Sequence, residues 1–211
     1  MNNNKKAPFI VFEGIDGSGK STQISYLKEH IEQRGTPCYV TREPSDGPIG
    51  CLIRQYLVGR MQADESALAA LFVADRLDHL TNPIDGLAAK TQAGIAVISD
   101  RYYLSNYAYN GVRVPLEWVL HANSLCAGTL RPDCHIFIDV SPDVALERIG
   151  QGRFHKELYE TKERLSEVRD AFFKVFDTVS GEETIHVIDG NQTPEQIAQA
   201  VWEHVQPYFS E

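Results

Sequence analysis

Eight consecutive residues near the start of the chain have the spacing of a phosphate-binding loop, Gly14-Ile15-Asp16-Gly17-Ser18-Gly19-Lys20-Ser21. They fit the pattern G-x-x-x-x-G-K-[ST], in which glycines let the backbone curl until several N–H groups point at one phosphate. Lys20 would neutralise the β- and γ-phosphates of a nucleoside triphosphate, and the Ser21 hydroxyl would ligate Mg²⁺. The residues predicted to bind the nucleotide are Gly14, Asp16, Gly17, Ser18, Gly19, Lys20, Ser21 and Thr22.

Charged side chains also follow short apolar runs elsewhere in the chain. If these runs are parallel strands, the charged residues lie at their carboxyl ends, which is where open α/β sheets bind ligands. These residues are Glu13, Arg42-Glu43, Asp100-Arg101, Asp139 and Asp189-Gly190. Asp100 is placed like an acidic residue that holds Mg²⁺ directly or through water, although it could instead cap a helix. The candidate phosphate clamps are Arg42, Arg101, Arg148 and Arg153, because a guanidinium binds phosphate bidentately.

The elements that must position these residues follow from the apolar periodicity. Five short apolar runs alternate with helical patterns, at 9–12, 38–41, 95–98, 135–138 and 185–188. This alternation predicts an α/β protein with a three-layer α/β/α P-loop NTPase fold and a central parallel sheet of about five strands. No linker or repeat divides the 211 residues, so we expect one domain over residues 1–211.

Two further segments combine helical spacing with arginines. A predicted helix from Ala67 to Leu80 puts Phe72 and Arg76 on one face, either for binding or as a core phenylalanine beside a solvated arginine. A second helix begins near Pro142. We expect the glycines of segment 148–153 to break it and helical patterning to resume around residue 157. That segment is either a small mobile lid around residues 148–157 or an ordinary surface loop.

Composition excludes several classes of function. The net charge is −9 and no long Lys/Arg run occurs, so we expect no nucleic-acid partner. No apolar stretch approaches the roughly 20 residues that span a membrane, and the N-terminus lacks the apolar region of a signal peptide. We therefore expect no membrane partner and a cytoplasmic protein. Four cysteines without zinc spacing are expected to be small buried hydrophobes in a reducing compartment: Cys38, Cys51, Cys126 and Cys134.

Taken together, four motifs resemble those of one family. Residues 12–23 resemble the P-loop of thymidylate kinases, and Thr41-Arg42-Glu43-Pro44 followed by Pro48-Ile49-Gly50 resembles their second motif. The run 72–76 resembles their base-binding helix. Asp100-Arg101-Tyr102 is similar to the family's third motif, together with Ser105, Asn106, Ala108 and Tyr109. All occur in the family's order and spacing, over a core of about residues 8–205.

The resemblance implies a kinase that transfers the γ-phosphoryl group of ATP to dTMP, with Mg²⁺ as cofactor and dTDP as product. It implies that Phe72 stacks on thymine and that Arg76 donates to a thymine carbonyl. Arg42 and Arg101 would hold the acceptor's 5′-phosphate, and Asp16 would contact the sugar 3′-hydroxyl. The remaining roles are Tyr109 crowding the 2′ position, Ser105 and Asn106 lining the base pocket, and Arg148 and Arg153 approaching the ATP phosphates from the lid. Catalytic roles are expected for Lys20, Asp100, Arg101, Arg148 and Arg153, and metal binding for Ser21 and Asp100.

Departures from the family pattern sharpen these expectations. The loop contains no arginine, so the missing positive charge is expected to come from the lid, with Arg153 as the donor. Ser45-Asp46-Gly47 replaces a frequent pair of glycines, and Asn110 stands where a Gln-Gly pair is common. The resemblance also implies a homodimer, whose interface or core would use apolar residues such as Leu52, Ile53, Leu57, Leu68 and Leu71.

Other functions remain possible at this point. A deoxynucleoside kinase or another P-loop nucleotide kinase could use a similar scaffold, although a nucleoside hydroxyl would need a carboxylate base. Arg42 and Arg101 favour an acceptor that already carries phosphate. A non-catalytic nucleotide-binding protein is the third alternative, and the absence of an N-K-x-D motif disfavours a GTPase switch.

Overall fold

Five parallel strands form one sheet in the computed structural model, which describes residues 6–152 and 161–209. The spatial order is β2-β3-β1-β4-β5, so β1 is central and its neighbours β3 and β4 are distant in sequence. The strands are β1 (Phe9–Glu13), β2 (Cys38–Arg42), β3 (Ala96–Asp100), β4 (Cys134–Asp139) and β5 (Ile185–Asp189). Each predicted apolar run is therefore a strand, and the predicted fold class is confirmed.

Helices connect the strands and cover both faces of the sheet. In the described part of the chain they are α1 (Lys20–Gln33), α2 (Pro48–Leu57), α3 (Glu65–Thr81), α4 (Leu87–Gln92), α5 (Tyr103–Asn110), α6 (Leu116–Ala122), α7 (Ser124–Thr129), α8 (Pro142–Gly152), α9 (Lys162–Val179) and α10 (Pro194–Val205), followed by a short 3-10 helix (Gln206–Phe209). Among these residues no helix is both long and apolar enough to span a lipid bilayer.

The two faces of the sheet bury two separate cores. Phe9 and Val11 of β1 point to the face that α3, α5 and α9 cover, whereas Ile10 and Phe12 point to the face that α1 and α10 cover. This alternation follows from the two-residue period of a strand. Because both faces are covered, the inner strands carry nearly continuous apolar runs, as a buried parallel sheet requires. The same packing fixes the position of each strand's carboxyl end.

Helix α8 differs from the prediction. It begins at Pro142 as expected, but it continues through Gly150 to Gly152 instead of breaking there. A glycine inside a helix costs about 1 kcal/mol relative to alanine. Ala145 and Ile149 are buried in the core on the same helix, and their packing offsets that cost. The next helix in the described residues, α9, begins at Lys162, and the predicted start near residue 157 lies outside them. Arg153 lies outside the described residues, and the lid around 148–157 stays a prediction.

The cysteines agree only partly with the sequence. All four are free thiols. Cys126 and Cys134 are buried as expected, but Cys38 is half-buried and Cys51 is exposed. Burial raises the pKa of Cys38 to about 11 and that of Cys134 to about 12, which favours the protonated thiol at neutral pH.

Candidate active site

The phosphate-binding loop connects the buried strand β1 to helix α1 at the centre of the sheet. Gly14 and Gly17 have φ of 143° and 79°, a region that residues with a side chain rarely adopt. A Cβ on Gly17 would lie 2.4 Å from the backbone oxygen of Ala145, so only glycine fits there. No side chain caps the N-terminus of α1, and its first turn holds no acidic residue. These free N–H groups form an anion-binding site.

Lys20 lies beneath this loop rather than pointing into solvent. Its Nζ donates to the backbone oxygens of Gly14 and Ile15, each at 3.2 Å, and is 4.0 Å from Asp100 Oδ1. Burial lowers the pKa of Lys20, and the nearby Arg101 lowers it further. An anion bound in the loop would favour the charged ammonium. Lys20 is therefore positioned to hold the loop and to neutralise a phosphate.

A large open cavity of about 740 Å³ lies over the loop and the strand ends. Its walls include five arginine and lysine side chains and five side chains with a hydroxyl or carboxylate group. Its chemistry-bearing lining residues are Asp16, Lys20, Ser21, Thr22, Arg42, Glu43, Arg54, Asp100, Arg101 and Arg148. Such a concentration of cations beside a free helix N-terminus suits the phosphates of a nucleotide.

A smaller cavity of about 110 Å³ adjoins the large one. Its walls combine apolar and aromatic side chains with charged and polar ones. It is lined by Asp16, Glu43, Pro44, Leu57, Phe72, Arg76, Arg101, Tyr102, Ser105, Asn106, Tyr109 and Asn110. Five residues line both cavities and so lie between them: Asp16, Glu43, Pro44, Leu57 and Arg101. A pocket with aromatic walls and fixed polar groups suits a small aromatic ligand.

Arg101 joins the two cavities through a dense set of hydrogen bonds. Its Nη1 donates to Gly14 O (3.0 Å) and Ser105 Oγ (2.9 Å), and its Nη2 donates to Asp16 Oδ1 (2.6 Å) and the Tyr109 hydroxyl (3.1 Å). The backbone of Arg101 has φ of 73°, which costs of order 1–3 kcal/mol for a residue with a side chain. This backbone conformation directs the guanidinium to the boundary between the cavities.

The buried guanidinium of Arg76 forms the floor of the small cavity. Its Nη2 is 2.5 Å from Glu43 Oε2, and its Nη1 donates to Asn123 Oδ1 at 2.5 Å. Burial opposes the charge of Arg76, but Glu43, together with the nearby Cys126 and Tyr102, raises its pKa overall. Arg76 lies one helical turn from the half-buried Phe72 on α3, and both line the cavity. The core-and-solvent alternative for this pair is therefore wrong, because Arg76 is not solvated.

A family comparison agrees with this geometry. A model of the thymidylate kinase family matches residues 12–201. The chain belongs to the thymidylate kinase family. A protein described as a probable thymidylate kinase of Pyrobaculum aerophilum is 40% identical over 196 residues, which are 92% of this chain and 94% of the relative.

Bacterial relatives give the same result. A thymidylate kinase of Leptospira interrogans is 35% identical over 197 residues, covering 93% of this chain and 92% of its own. A thymidylate kinase of Carboxydothermus hydrogenoformans is 33% identical over 196 residues, covering 91% and 93%. The expected activity, phosphorylation of dTMP by a nucleoside monophosphate kinase with ATP as donor, is thus confirmed at the level of the family.

Most of the residues that the thymidylate kinase resemblance singled out lie at one of the two cavities. The large cavity collects Asp16, Gly17, Gly19, Lys20, Ser21, Thr22, Arg42, Asp100, Arg101 and Arg148, and the small one collects Asp16, Phe72, Arg76, Arg101, Ser105, Asn106 and Tyr109. Gly14 and Ser18 belong to the same loop without being cavity-lining residues. Of the strand-end acids, Asp139 instead forms a bidentate ion pair with Arg169, at 2.6 and 2.8 Å.

Arg148 contacts the loop from α8. Its Nη1 donates to Ser18 O at 3.2 Å, and its Nη2 donates to Gly190 O at 2.9 Å. It therefore links the phosphate loop to the turn that follows β5. Arg148 lies within α8 and lines the large cavity, and its predicted role at the phosphates from a lid stays a prediction.

Sequence reasoning missed three residues that shape this thymidylate kinase site. Arg54 of α2 lines the large cavity and donates to Pro44 O at 2.9 Å. Asn123 contacts Arg76 from the junction of α6 and α7. Glu13 was noted only as a strand end, yet its buried carboxylate accepts from Ser105 Oγ (2.5 Å) and from the backbone N–H of Tyr102 (3.0 Å). Burial raises the pKa of Glu13.

Proposed function

We propose that the two cavities hold the two substrates of one reaction, with ATP over the phosphate loop and dTMP in the small cavity. The observation that carries this proposal is the shared boundary, where Asp16 and Arg101 line both cavities at once. Phosphoryl transfer needs positioning and charge neutralisation more than covalent catalysis. A donor and an acceptor phosphate that meet at this boundary would lie close together among fixed cations.

On the donor side, Lys20 and the N–H groups at the start of α1 would bind the β- and γ-phosphates. Asp100 and Ser21 would hold Mg²⁺, which suits the residues present. Asp100 Oδ1 is buried and has no hydrogen-bond partner among the described residues, and the exposed Ser21 lines the same cavity. Mg²⁺ is commonly bound by one or two carboxylates together with substrate phosphates, and it would neutralise charge on the transferring group.

On the acceptor side, Arg101 and Arg42 would hold the 5′-phosphate. Both are paired with carboxylates, Arg101 with Asp16 at 2.6 Å and Arg42 with Asp46 at 2.8 Å. A phosphate that enters would compete for these guanidinium groups, because bidentate pairing to a dianion is stronger than pairing to a carboxylate. Asp16 would then be released to accept a hydrogen bond from the sugar 3′-hydroxyl.

The base would lie in the small cavity against Phe72. The aromatic face of Phe72 would stack on thymine, and Arg76 would donate to a thymine carbonyl. Tyr109 lies beside Arg101 and Asp16 at the sugar end of the cavity, where its ring would disfavour a 2′-hydroxyl. Asn106 and Ser105 complete the wall of this pocket.

The charge pairing disfavours the deoxynucleoside kinase alternative. A nucleoside hydroxyl would need a carboxylate base, and the acidic residues at the small cavity are Glu43 and Asp16. Glu43 is paired with Arg76 at 2.5 Å, and Asp16 is paired with Arg101 at 2.6 Å. Both carboxylates are therefore engaged with arginines rather than free to take a proton from a hydroxyl.

A substrate panel tests the proposed function. Purified protein is assayed with ATP and Mg²⁺ against dTMP, dUMP, dCMP, AMP and GMP, and against thymidine, by release of ADP. We expect the highest kcat/KM with dTMP, and no turnover of dTMP when Mg²⁺ is removed by chelation. Turnover of thymidine without turnover of dTMP would support the nucleoside kinase instead. A flat assay with every acceptor would support a non-catalytic binding protein.

The homodimer also belongs to this proposal, and the cytoplasmic location stays a prediction. Of the five apolar residues predicted for an interface or the core, Ile53 and Leu68 are buried in the core. Leu52, Leu57 and Leu71 are half-buried, and Leu57 lines the nucleotide cavities. Light scattering at micromolar concentration would distinguish a mass of two chains from the 23.7 kDa of one.

A further inference from the structure

The carboxylate of Glu13 lies at the end of β1, directly before the phosphate loop, and contacts the start of helix α5. Its side chain has no exposed surface. Oε1 accepts from the backbone N–H groups of Tyr102 (3.0 Å) and Ser105 (3.3 Å), and Oε2 accepts from the Ser105 hydroxyl at 2.5 Å. Tyr102, the N-cap residue of α5, makes no capping hydrogen bond with its own side chain. A carboxylate from another element therefore satisfies two N–H groups at the start of this helix.

These contacts form a hydrogen-bond relay that consists of Arg101, Ser105 and Glu13. Arg101 Nη1 donates to Ser105 Oγ at 2.9 Å, and the same hydroxyl donates to Glu13. Arginine has only donors and an ionised carboxylate has only acceptors, so the hydroxyl between them must accept from one and donate to the other. Burial raises the pKa of Glu13, whereas the hydrogen bonds it accepts and the nearby Arg101 and His135 favour its charged form. The charged carboxylate thereby fixes the direction of both bonds.

The backbone of Arg101 is held from the same strand. Its φ of 73° lies in the left-handed region, which is strained for a residue with a side chain. The N–H of Arg101 donates to Phe12 O at 2.8 Å, and the next N–H along the chain, that of Tyr102, donates to Glu13. Such a conformation persists only where the surrounding contacts over-determine it. Glu13 thus acts on Arg101 twice, through the Ser105 hydroxyl and through the peptide bond that follows Arg101.

We propose that Glu13 is a positioning residue for the acceptor phosphate, because it fixes the direction of the Arg101 guanidinium without touching the substrate. Arg101 lines both cavities, whereas Glu13 is not among the described residues that line either of them. This inference rests on the proposed function, in which Arg101 holds the 5′-phosphate of dTMP. Loss of the relay should therefore weaken the binding of an acceptor that carries a phosphate and leave the binding of the bare nucleoside unchanged.

The substitution Glu13→Gln tests the relay with the least change of shape. The amide oxygen can still accept from the two backbone N–H groups, but the amide nitrogen in place of Oε2 donates to Ser105 Oγ. Ser105 then faces two donors, and its hold on Arg101 weakens. Dissociation constants for dTMP and for thymidine are measured by isothermal titration calorimetry at mildly alkaline pH, which favours the charged form of Glu13. We expect the Kd for dTMP to rise about tenfold or more and the Kd for thymidine to change less than about twofold.

Ser105→Ala interrupts the same relay at its middle. It should also weaken the binding of dTMP more than that of thymidine, and it decides the question if thermal denaturation shows that Glu13→Gln does not fold. In the double variant the two losses of dTMP affinity should not add, because both substitutions remove one relay. A purely structural role of Glu13 would instead lower the affinities for both ligands and add to the effect of Ser105→Ala.

Glu183→Gln is the matched control. The side chain of Glu183 is only 5% exposed, and it also accepts from α5, through the Tyr103 hydroxyl at 2.8 Å. Its other partners are Arg131 and His135 rather than Arg101. The same carboxylate-to-amide change at this second buried site should leave the preference for dTMP over thymidine at its wild-type value.

The outcomes separate this inference from the proposed function. If the wild-type protein binds dTMP no more tightly than thymidine, the proposed acceptor site is wrong. If the wild type prefers dTMP and the folded Glu13→Gln protein keeps that full preference, the inference about Glu13 is wrong while the function stands. Equal losses for dTMP and thymidine, or an equal effect of Glu183→Gln on the preference, would indicate general damage to the fold and would also overturn the inference.

Discussion

Replacing Asp16 by alanine would remove the carboxylate that lies at the boundary of the two cavities. Asp16 Oδ1 is 2.6 Å from Arg101 Nη2, and the Tyr109 hydroxyl is 3.4 Å from Asp16 Oδ2. In the proposed complex, the acceptor phosphate takes over Arg101 and Asp16 accepts from the sugar 3′-hydroxyl. The substitution should therefore abolish recognition of that hydroxyl while leaving the base and phosphate contacts in place.

The size of the effect follows from the environment of the carboxylate. A hydrogen bond to a charged group contributes about 1.5–3 kcal/mol, which corresponds to a factor of about 10 to 150 in kcat/KM. The side chain of Asp16 is 23% exposed, so solvent screens part of this interaction. We therefore expect the lower part of the range, about 10- to 30-fold.

The assay compares two acceptors in two proteins. Steady-state kcat/KM is measured for dTMP and for 3′-deoxythymidine monophosphate, with wild type and with Asp16→Ala. Wild type should prefer dTMP by about 10- to 30-fold, and the variant should show almost no preference. This comparison isolates one hydrogen bond, because the same hydroxyl is removed from the substrate in the assays of both proteins.

Asp46→Ala is the matched control. It also removes a carboxylate that pairs with an acceptor-side arginine, since Asp46 lies 2.8 Å from Arg42. It lies outside the phosphate loop, so the preference for the 3′-hydroxyl should persist in this variant. If Asp16→Ala keeps the full wild-type preference for dTMP over the 3′-deoxy analogue, Asp16 does not read the sugar and the assignment fails.

Three other substitutions probe the loop and the base pocket. Lys20→Ala should lower kcat at least about 100-fold, because it removes the loop's phosphate-facing cation; a change below tenfold in steady-state assays would contradict this role. Arg76→Ala should raise the KM for dTMP and lower the free energy of unfolding by about 3–5 kcal/mol, since it leaves Glu43 buried without its cation; denaturant titration measures this. Gly35→Ala should lower the free energy of unfolding by about 1–2 kcal/mol, and Gly17→Ala should lower it by more. Both have φ near 80°, but only Gly17 is crowded, so equal losses would exclude the steric argument.

Local patterns predict the fold of this chain well because the sheet is buried on both faces. Each inner strand must then be a short, nearly continuous apolar run, and such runs are visible without any partner. The charged residues that end these runs follow from the same logic, which brings Arg42, Asp100 and Arg101 to one edge of the sheet. Their convergence on the phosphate loop could therefore be predicted from the sequence.

Helix α8 shows where local patterns are insufficient. Glycines in a helical pattern predict a break because each costs about 1 kcal/mol. The actual outcome depends on burial of the residues before them, and Ile149 packs into a core most of whose members are distant in sequence. Arg148 is consequently held in a helix and bonded to Gly190, 42 residues away. No spacing within residues 142–153 contains that information.

The polar partners of the site are harder still to predict, because each arginine has several acceptors from separate elements. The spacing of α3 predicts that Phe72 and Arg76 share a face, but it cannot reveal that Asn123, 47 residues further on, accepts from Arg76. Such partners are nonetheless required by physics, since a buried guanidinium must have its charge and its donors satisfied. A buried arginine that is predicted to bind a ligand therefore implies further hydrogen-bond acceptors that the local sequence pattern does not reveal. In this protein they form a chain that runs from Arg76 through Asn123 and Asn106 to Asn110, behind the small cavity.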